Sequence, residues 1–569
     1  MAPPAQGIGA LRLSGDARRV ALSTRRIDGQ PFGEALRAEV RQVGGASWSV
    51  QLLARTTAPI ERGDVLLATF YLRGEVVPAC DGPARTELVF EQVAEPWRAS
   101  TKFPICADAA WQPVHVRFTA VDSYAAGDAQ LSFRLGFAVQ TVEIGAVTLQ
   151  NFGRGVTLDA LPTTPLHYPG MAPDEPWRAG AATRSEQLRK AVLRVVVHAA
   201  DGRRLAGVPV RATLTRPAFG LGSCVRAALL DDPAQAAYQR TIGELFTVAT
   251  LENELKWPAL TGDWGAEFSL ERAQRGAAWL RARGVAVRGH ALVWPRWSAL
   301  PRALRAHADD AVRLRREINR HVRELVGAMR GQVAQWDVLN EPVDNQAFLD
   351  GLGRAAIVDW FAEARAADPA ARLFVNEHSI LSGGGGRTAH RDAFERLLEF
   401  LVARDTPFDG IGLQGHCSSA LTGPEDLLAL LDRFARFGKR IVVTEYDIAI
   451  DDEAMAARYT ADFYAALFSH PAVDGIVMWG FCDASHWRRN APMYRHDFSL
   501  KPAGQVIRDL ALRAWRSEAS GVTDVDGSFA TRAFLGDYAL RAGAGDDVVE
   551  TSASLARDGT VVAIRLARA

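Results

Sequence analysis

The sequence predicts an α/β protein: a (β/α)8 TIM barrel, preceded by a β-sandwich of the jelly-roll kind and followed by a small C-terminal β extension. Three observations predict it. From Phe219 to about residue 513, apolar runs of strand length alternate eight times with amphipathic stretches of helix length. Before them, residues 48–152 carry short alternating runs separated by Gly, Asp and Pro turns, and beyond residue 519 alternation returns. At 569 residues the chain is also too long for one domain of about 150.

In chain order, residues 1–155 form the predicted sandwich, with strands at 48–54, 65–72, 114–120 and 130–137; for Trp48, Trp97 and Trp111 the sequence leaves both a core and a polysaccharide-binding role open. Residues 156–190 are rich in Pro, Thr, Gly and Ala (LPTTPLHYPGMAPDEPW) and read as an ordered or semi-rigid linker. Residues 191–518 form the barrel domain. It opens on two runs, 193–198 and 208–213, which flank Asp201 and Gly202 as a β-hairpin would. Strands then start at Phe219, Phe246, Val285, Val333, Leu373, Gly410, Ile441 and Gly475, with helices between them at 232–244, 270–283, 309–329, 355–366, 388–404, 424–436 and 452–468, and a last one at 503–513. That order is what a parallel barrel requires. No GxGxxG follows the first strand to favour an open nucleotide-binding sheet. Residues 519–569 form the antiparallel extension.

Composition excludes several classes. Hydrophobic residues at 48% and charged residues at 23% are ordinary globular usage, not disorder or low complexity. The 66 basic residues balance the 66 acidic ones, so no net field draws nucleic acid or an anionic membrane, and a neutral substrate fits better. Only five of the basic residues are Lys, a bias read as coding composition rather than as functional guanidiniums. Five Cys are too few for a disulfide scaffold, and Cys80 to Cys106 is the only bridge worth testing. No apolar run approaches the ~20 residues of a membrane span. The opening residues lack a signal-peptide pattern, which leaves a cytoplasmic protein or one whose leader has been removed.

A barrel assembles its active site from the C-terminal ends of its strands. Here those ends read Glu252, Asn253, Glu254, Lys256 and Trp257; His290 and Trp294; Asn340 and Glu341; Asn376, Glu377 and His378; Gln414 and His416; Glu445 and Asp447; Trp479, with Trp487 beyond it. Carboxylates, amides, imidazoles and indoles around one mouth suit a sugar, which offers many hydroxyls and apolar faces. Glycosidic cleavage needs two carboxyls, and Glu341 and Glu445, each closing an apolar run on a different strand, are the best pair. Four His lie near the same mouth, but no HExxH or paired-His spacing accompanies them; no metal and no cofactor is expected.

The run Glu252-Asn253-Glu254-Leu255-Lys256-Trp257, then RGHALVW at 288–294, WDVLNEP at 336–342, GIGLQGH at 410–416, TEYDI at 444–448 and Trp479-Gly480 resembles glycoside hydrolase family 10, the endo-β-1,4-xylanases. The closing segments look like the plant-type branch and its bacterial relatives. The N-terminal stretch, with Trp111-Gln112 and Val142-Glu143-Ile144, is similar to carbohydrate-binding modules of families 22 and 4. The resemblance implies a retaining endo-β-1,4-xylanase that binds xylan or xylo-oligosaccharides as a monomer, outside the cytoplasm.

It also implies roles. Glu341 would be the general acid/base, protonated through a raised pKa that an anionic neighbour and partial burial could supply. Glu445 would be the nucleophile, kept ionised by donors such as His416, which Asp447 orients. Asn340 would bond the sugar 2-hydroxyl, and Gln414 would contact Glu445 or the same sugar. Glu252, Asn253, Lys256 and His290 match positions on the non-reducing side, while Trp294, Trp479 and Trp487 would wall the sugar beside the scissile bond. Retention implies carboxyls about 5–5.5 Å apart.

The sequence departs from the family at Pro295 and Trp297, where secreted microbial xylanases usually carry His and Gln. It departs again at Asn376-Glu377-His378-Ser379, where many members have Asn-Asp-Tyr-Asn, and glycines 383–386 suggest a mobile loop. The alternatives are therefore a retaining β-glycanase or transglycosylase acting on another β-glycan, or a non-catalytic carbohydrate-binding protein.

Overall fold

A computed structural model describes residues 7–43, 47–76, 84–384, 389–488, 490, 493–545 and 547–567. Cys80, half of the bridge proposed from sequence, and residues 385 and 386 of the glycine run lie outside them. The chain divides into two compact units: Met1–Met171 with Gly383–Asp392 and Ser418–Gly423, and Ala172–Ser382 with Ala393–Cys417 and Pro424–Ala569.

Among the described residues the first unit contains ten strands: β1 (Arg12–Gly15), β2 (Val20–Arg26), β3 (Glu34–Val40), β4 (Val50–Arg55), β5 (Val65–Val76), β6 (Ala84–Gln92), β7 (Ala99–Ala107), β8 (Gln112–Thr119), β9 (Ala129–Arg134) and β10 (Gln140–Asn151). They form two antiparallel sheets, β1-β4-β9-β6-β7 and β2-β3-β10-β5-β8. Alternation decides which side chains go inside: Val50, Leu52 and Ala54 of β4 and Val114, Val116 and Phe118 of β8 are buried, with their odd neighbours outside. Phe70 and Phe133 meet edge to face at 4.9 Å in the middle. Of the three tryptophans left open between core and binding, two are on the surface, Trp48 at 58% and Trp97 at 52% exposure. Trp48 precedes β4 rather than lying in its alternating run, and Trp97 is in the turn between β6 and β7, so the pleat constrains neither.

The second unit opens on α1 (Pro176–Arg189), where the sequence reading had only a linker. Pro176 at the first turn and the following Ala, Gln, Glu, Leu and Arg residues favour a helix, and Trp177 and Ala181 bury against Ala466. Next come β11 (Lys190–His198) and β12 (Pro209–Pro217). These are the two expected strands, but they do not form a hairpin.

The barrel follows: β13 (Gly220–Val225), β14 (Val248–Leu251), β15 (Ala286–Gly289), β16 (Gln335–Asn340), β17 (Arg372–Glu377), β18 (Gly410–Cys417), β19 (Arg440–Ile448) and β20 (Val473–Met478), parallel throughout and closed by β13 against β20. Each strand start lies within two residues of the one read from sequence. Nearly every strand residue is buried, because helices cover the outside while side chains such as Val248, Phe374, Val442 and Val477 cluster together in the core.

The last strands are β21 (Glu518–Val522), β22 (Ser528–Phe534), β23 (Gly536–Ala544), β24 (Asp547–Leu555) and β25 (Thr560–Arg565). β11 pairs with β22 and β25, and β12 with β21 and β23, giving sheets β22-β11-β25 and β21-β12-β23-β24. Their inner faces share one core, including Leu193, Val195, Val210, Leu214, Tyr538 and Leu540. Partners more than 300 residues away thus take β11 and β12 into separate sheets.

Candidate active site

The carboxyl ends of β16 and β19 bring the two glutamates to one cluster of side chains. Glu341 follows β16 in a left-handed conformation, φ 51°, unusual for a residue with a side chain. The conformation is held from both sides: its backbone N–H donates to Asn376 O at 2.8 Å, and its carbonyl accepts from Asn345 Nδ2 at 3.0 Å. The carboxylate accepts from Trp294 Nε1 at 3.1 Å and from Gln414 Nε2 at 3.0 Å. The sequence reading expected Gln414 on Glu445 or the sugar. The structure puts Gln414 on Glu341, whose carboxylate is ringed by donors.

Glu445 is 4% exposed. Asn376 Nδ2 donates to its Oε1 at 2.8 Å, and His416 Nε2 lies 3.1 Å from its Oε2. Burial pushes this carboxyl up, but the His416 hydrogen bond, the fields of His290 and His416, and the Asn376 hydrogen bond together hold it below the usual carboxylate range. His416 Nδ1 lies 2.9 Å from Asp447 Oδ2. A ring between two carboxylates donates from both nitrogens and is an imidazolium. Burial opposes that charge, but the bonds to Asp447 and Glu445 outweigh it and push the pKa up from 6.5 to about 9. Asp447 is itself fixed by Trp487 Nε1 and Arg488 Nη1, each at 3.0 Å.

This arrangement predicts a pH dependence. The folded-state value of His416 lies above the ordinary 6.5, so its contribution is complete below pH 6.5 and is lost as pH rises through about 9. It is on the order of 3 kcal/mol. The stability gap between the parent and His416→Gln, read from urea midpoints, should therefore be largest near pH 6 and should close towards pH 10. An unchanged gap would mean that the ring is neutral throughout.

Asn376 joins the two halves of the site. Its Nδ2 also donates to Asn340 Oδ1 at 2.8 Å, and its Oδ1 accepts from Thr444 Oγ1 at 2.6 Å. Gly412 leaves it room: a Cβ there would stand 2.5 Å from Asn376 Oδ1. Asn340 Nδ2 is left buried with no partner among the described residues, an uncommitted donor at the foot of Glu341. Sequence reasoning had Asn376 at a strand end but gave it no role; the rule that strand ends carry the chemistry was the available signal.

Beside the carboxylates, His290 Nδ1 lies 2.9 Å from Asp337 Oδ2, and Asp337 also pairs with buried Arg288. This fixes the ring, which meets Trp479 edge-on at 4.9 Å. Lys256 Nζ donates to Asn253 Oδ1 at 2.9 Å and lies 5.6–5.9 Å from the rings of Trp264, Trp294 and Trp479. Burial lowers its pKa, opposed by Glu445 and Glu252. Glu252 pairs with Arg226 at 2.8 Å. Trp487 is 54% exposed and meets His416 edge-on at 5.0 Å. At the departure from the family pattern, Pro295 O accepts from Ala347 N at 3.0 Å, and Trp297 packs on Phe348 with centroids 5.7 Å apart.

Two carboxylates in contrasting surroundings, one buried and held ionised, the other half-exposed among neutral donors, can divide nucleophilic and proton-transfer work. Comparison with known proteins shows what the chain is similar to. Residues 211–510 match the model of glycosyl hydrolase family 10. The chain is 31% identical over 367 residues to the anti-sigma-I factor RsgI6 of Acetivibrio thermocellus, covering 64% of this chain and 46% of that protein. It is 30% identical over 278 residues to endo-1,4-beta-xylanase C of Phanerodontia chrysosporium, covering 46% and 68%. It is 27% identical over 370 residues to endo-1,4-beta-xylanase 1 of Arabidopsis thaliana, covering 65% and 37%. The chain thus spans less than half the length of the RsgI6 and Arabidopsis relatives. Among solved structures, native xylanase 10B of Thermotoga maritima is 24% identical, covers 52% of this chain and 96% of its own, and has a TM-score of 0.48.

Proposed function

Because the chain belongs to glycosyl hydrolase family 10, we propose that it is a retaining endo-β-1,4-xylanase that cuts internal xylosidic bonds by double displacement. The observation that carries the reading is the pair Glu341 and Glu445, tied together through Asn376. In the first step Glu445 attacks the anomeric carbon while the protonated Glu341 gives its proton to the leaving oxygen, and a glycosyl ester forms. In the second, Glu341 removes a proton from water, which attacks the same carbon and releases Glu445. Asn340, with its free amide donor, suits the 2-hydroxyl. Lys256, Asn253, Glu252 and His290 suit the glycone hydroxyls, and Trp294, Trp479 and Trp487 the sugar faces.

Residues 191–518 would be the catalytic domain, with 519–569 completing the small sandwich around β11 and β12. Residues 1–155, joined to α1 by a connecting segment, would be a carbohydrate-binding module. Phe32, Tyr71 and Trp111 support this as a half-buried aromatic group, with centroids 4.9 and 5.0 Å from Phe32 and Arg73 over Trp111 at 4.9 Å. The protein would act as a monomer.

Xylan digestion followed by proton NMR tests the proposal: the first-formed reducing ends should be β-anomers, and the products short xylo-oligosaccharides. If xylan is left intact while mixed-linkage glucan or cellulose is cut, the substrate is another β-glycan. If an α-anomer forms first, the double displacement is wrong.

A further inference from the structure

Arg296 differs from the other guanidinium groups around the site. Arg226, Arg288 and Arg488 each pair with a carboxylate, Glu252, Asp337 and Asp447 respectively. Among the described residues Arg296 has no carboxylate at ion-pair distance, and none of its guanidinium nitrogens donates to a protein acceptor; the Nε is buried without a partner. Its guanidinium carbon lies 3.3 Å from the Trp294 ring centroid, and the Nε1 of that indole donates to Glu341. The cation therefore lies over the aromatic wall that touches one of the two candidate carboxylates.

The segment that carries it is anchored on both sides. Pro295 is buried and accepts from Ala347, Trp297 packs on Phe348, and Ala299 N closes a turn on Arg296 O at 3.0 Å. The guanidinium is thus pre-positioned, half-exposed, with its terminal N–H groups uncommitted. A sugar hydroxyl accepts from an amide or an ammonium as readily as from a guanidinium, so it makes no particular use of a planar fork. A carboxylate matches the planar fork of Arg with two parallel hydrogen bonds, and stacking on an indole limits the freedom lost on binding. Glu341 and Lys256 lie close enough for their fields to reach Arg296, but Glu341 is already engaged by Trp294 and Gln414.

We infer that Arg296 forms a subsite for a carboxylate-bearing branch of the polysaccharide, of the uronic-acid kind, beside Glu341. The inference rests on the xylan reading and narrows it to acidic xylans. It also gives a function to the segment in which the sequence departs from the family at Pro295 and Trp297.

The test uses the full-length chain with Glu445→Ala, so that ligands bind without being cut. Calorimetry compares a glucuronosyl-substituted xylo-oligosaccharide with the same compound after reduction of its carboxyl to the alcohol. The acid should bind about tenfold tighter, and the preference should shrink as salt rises. Adding Arg296→Gln should bring the ratio to about one, while Arg296→Lys, which keeps the charge but not the fork, should retain part of it and shows that the segment still folds. Equal binding of the two forms in the parent, or a ratio unmoved by Arg296→Gln, overturns the subsite while leaving the xylan reading intact. Failure of both forms to bind overturns both.

Discussion

Replacing Glu445 with Ala is expected to lower turnover of a xylo-oligosaccharide by about 10⁴-fold or more, the scale seen when a group that forms the covalent intermediate is removed. Binding should survive, because Lys256, Asn253, His290 and the tryptophan walls are untouched and the shortened side chain relieves a buried carboxylate of its solvation cost. The same variant reports on role. With the carboxylate gone, azide can occupy the vacated space and attack an activated aryl glycoside, giving a glycosyl azide of inverted configuration and recovering part of the rate. Glu341→Ala should behave differently. It removes the proposed proton donor, so substrates with poor leaving groups should stall while those with good ones still form the glycosyl ester, which azide then opens with net retention. Undiminished hydrolysis by Glu445→Ala would end the assignment, and identical azide products from the two variants would show the roles to be misallocated.

How much of this was legible in the sequence depends on how local each signal is. The eight barrel strands were legible because they are buried, mostly apolar runs of strand length, several of them ending in polar residues as in Ile441-Val442-Val443-Thr444-Glu445, alternating with stretches of helix length. The nucleophile and acid/base candidates followed from the same rule. β11 and β12 were legible as strands but not as neighbours: Asp201-Gly202 is good turn chemistry, yet pairing is decided by what covers each edge, and those edges go to β22, β25, β21 and β23 at the far end of the chain. α1 was obscured by the prolines before it. The hydrogen-bond partners were the least legible part. That Gln414 serves Glu341 although it sits in register with Glu445 follows from side-chain directions inside a closed barrel, which one-dimensional spacing does not contain. Asp337, held between Arg288 and His290, looks in sequence like an ordinary charged residue interrupting a strand.

Asn376 is where the structure adds most to the mechanism, and Asn376→Ala carries the second large expected effect. The side chain is fully buried and holds three groups at once: Glu445, Asn340 and Thr444. Its loss removes one of the two donors that keep Glu445 ionised, and it frees the amide of Asn340 to rotate. A fall in kcat of about 10²–10³-fold is expected, the scale for deleting one pre-positioned donor at a developing charge. A destabilisation of about 1–3 kcal/mol should accompany it, because Thr444 and Asn340 each lose a buried partner. Stability alone does not identify the role, so the informative measurement is the pH profile. The Asn376 hydrogen bond lowers the Glu445 pKa; without it that pKa rises, and the acid limb of kcat/KM moves to higher pH. Thr444→Val separates orientation from donation. It removes only the bond to Asn376 Oδ1, leaves both amide bonds in place, and should cost no more than about tenfold with an unmoved acid limb. An acid limb that stays put in Asn376→Ala would mean that His416 alone sets the charge of Glu445, and that Asn376 is a spacer between strands.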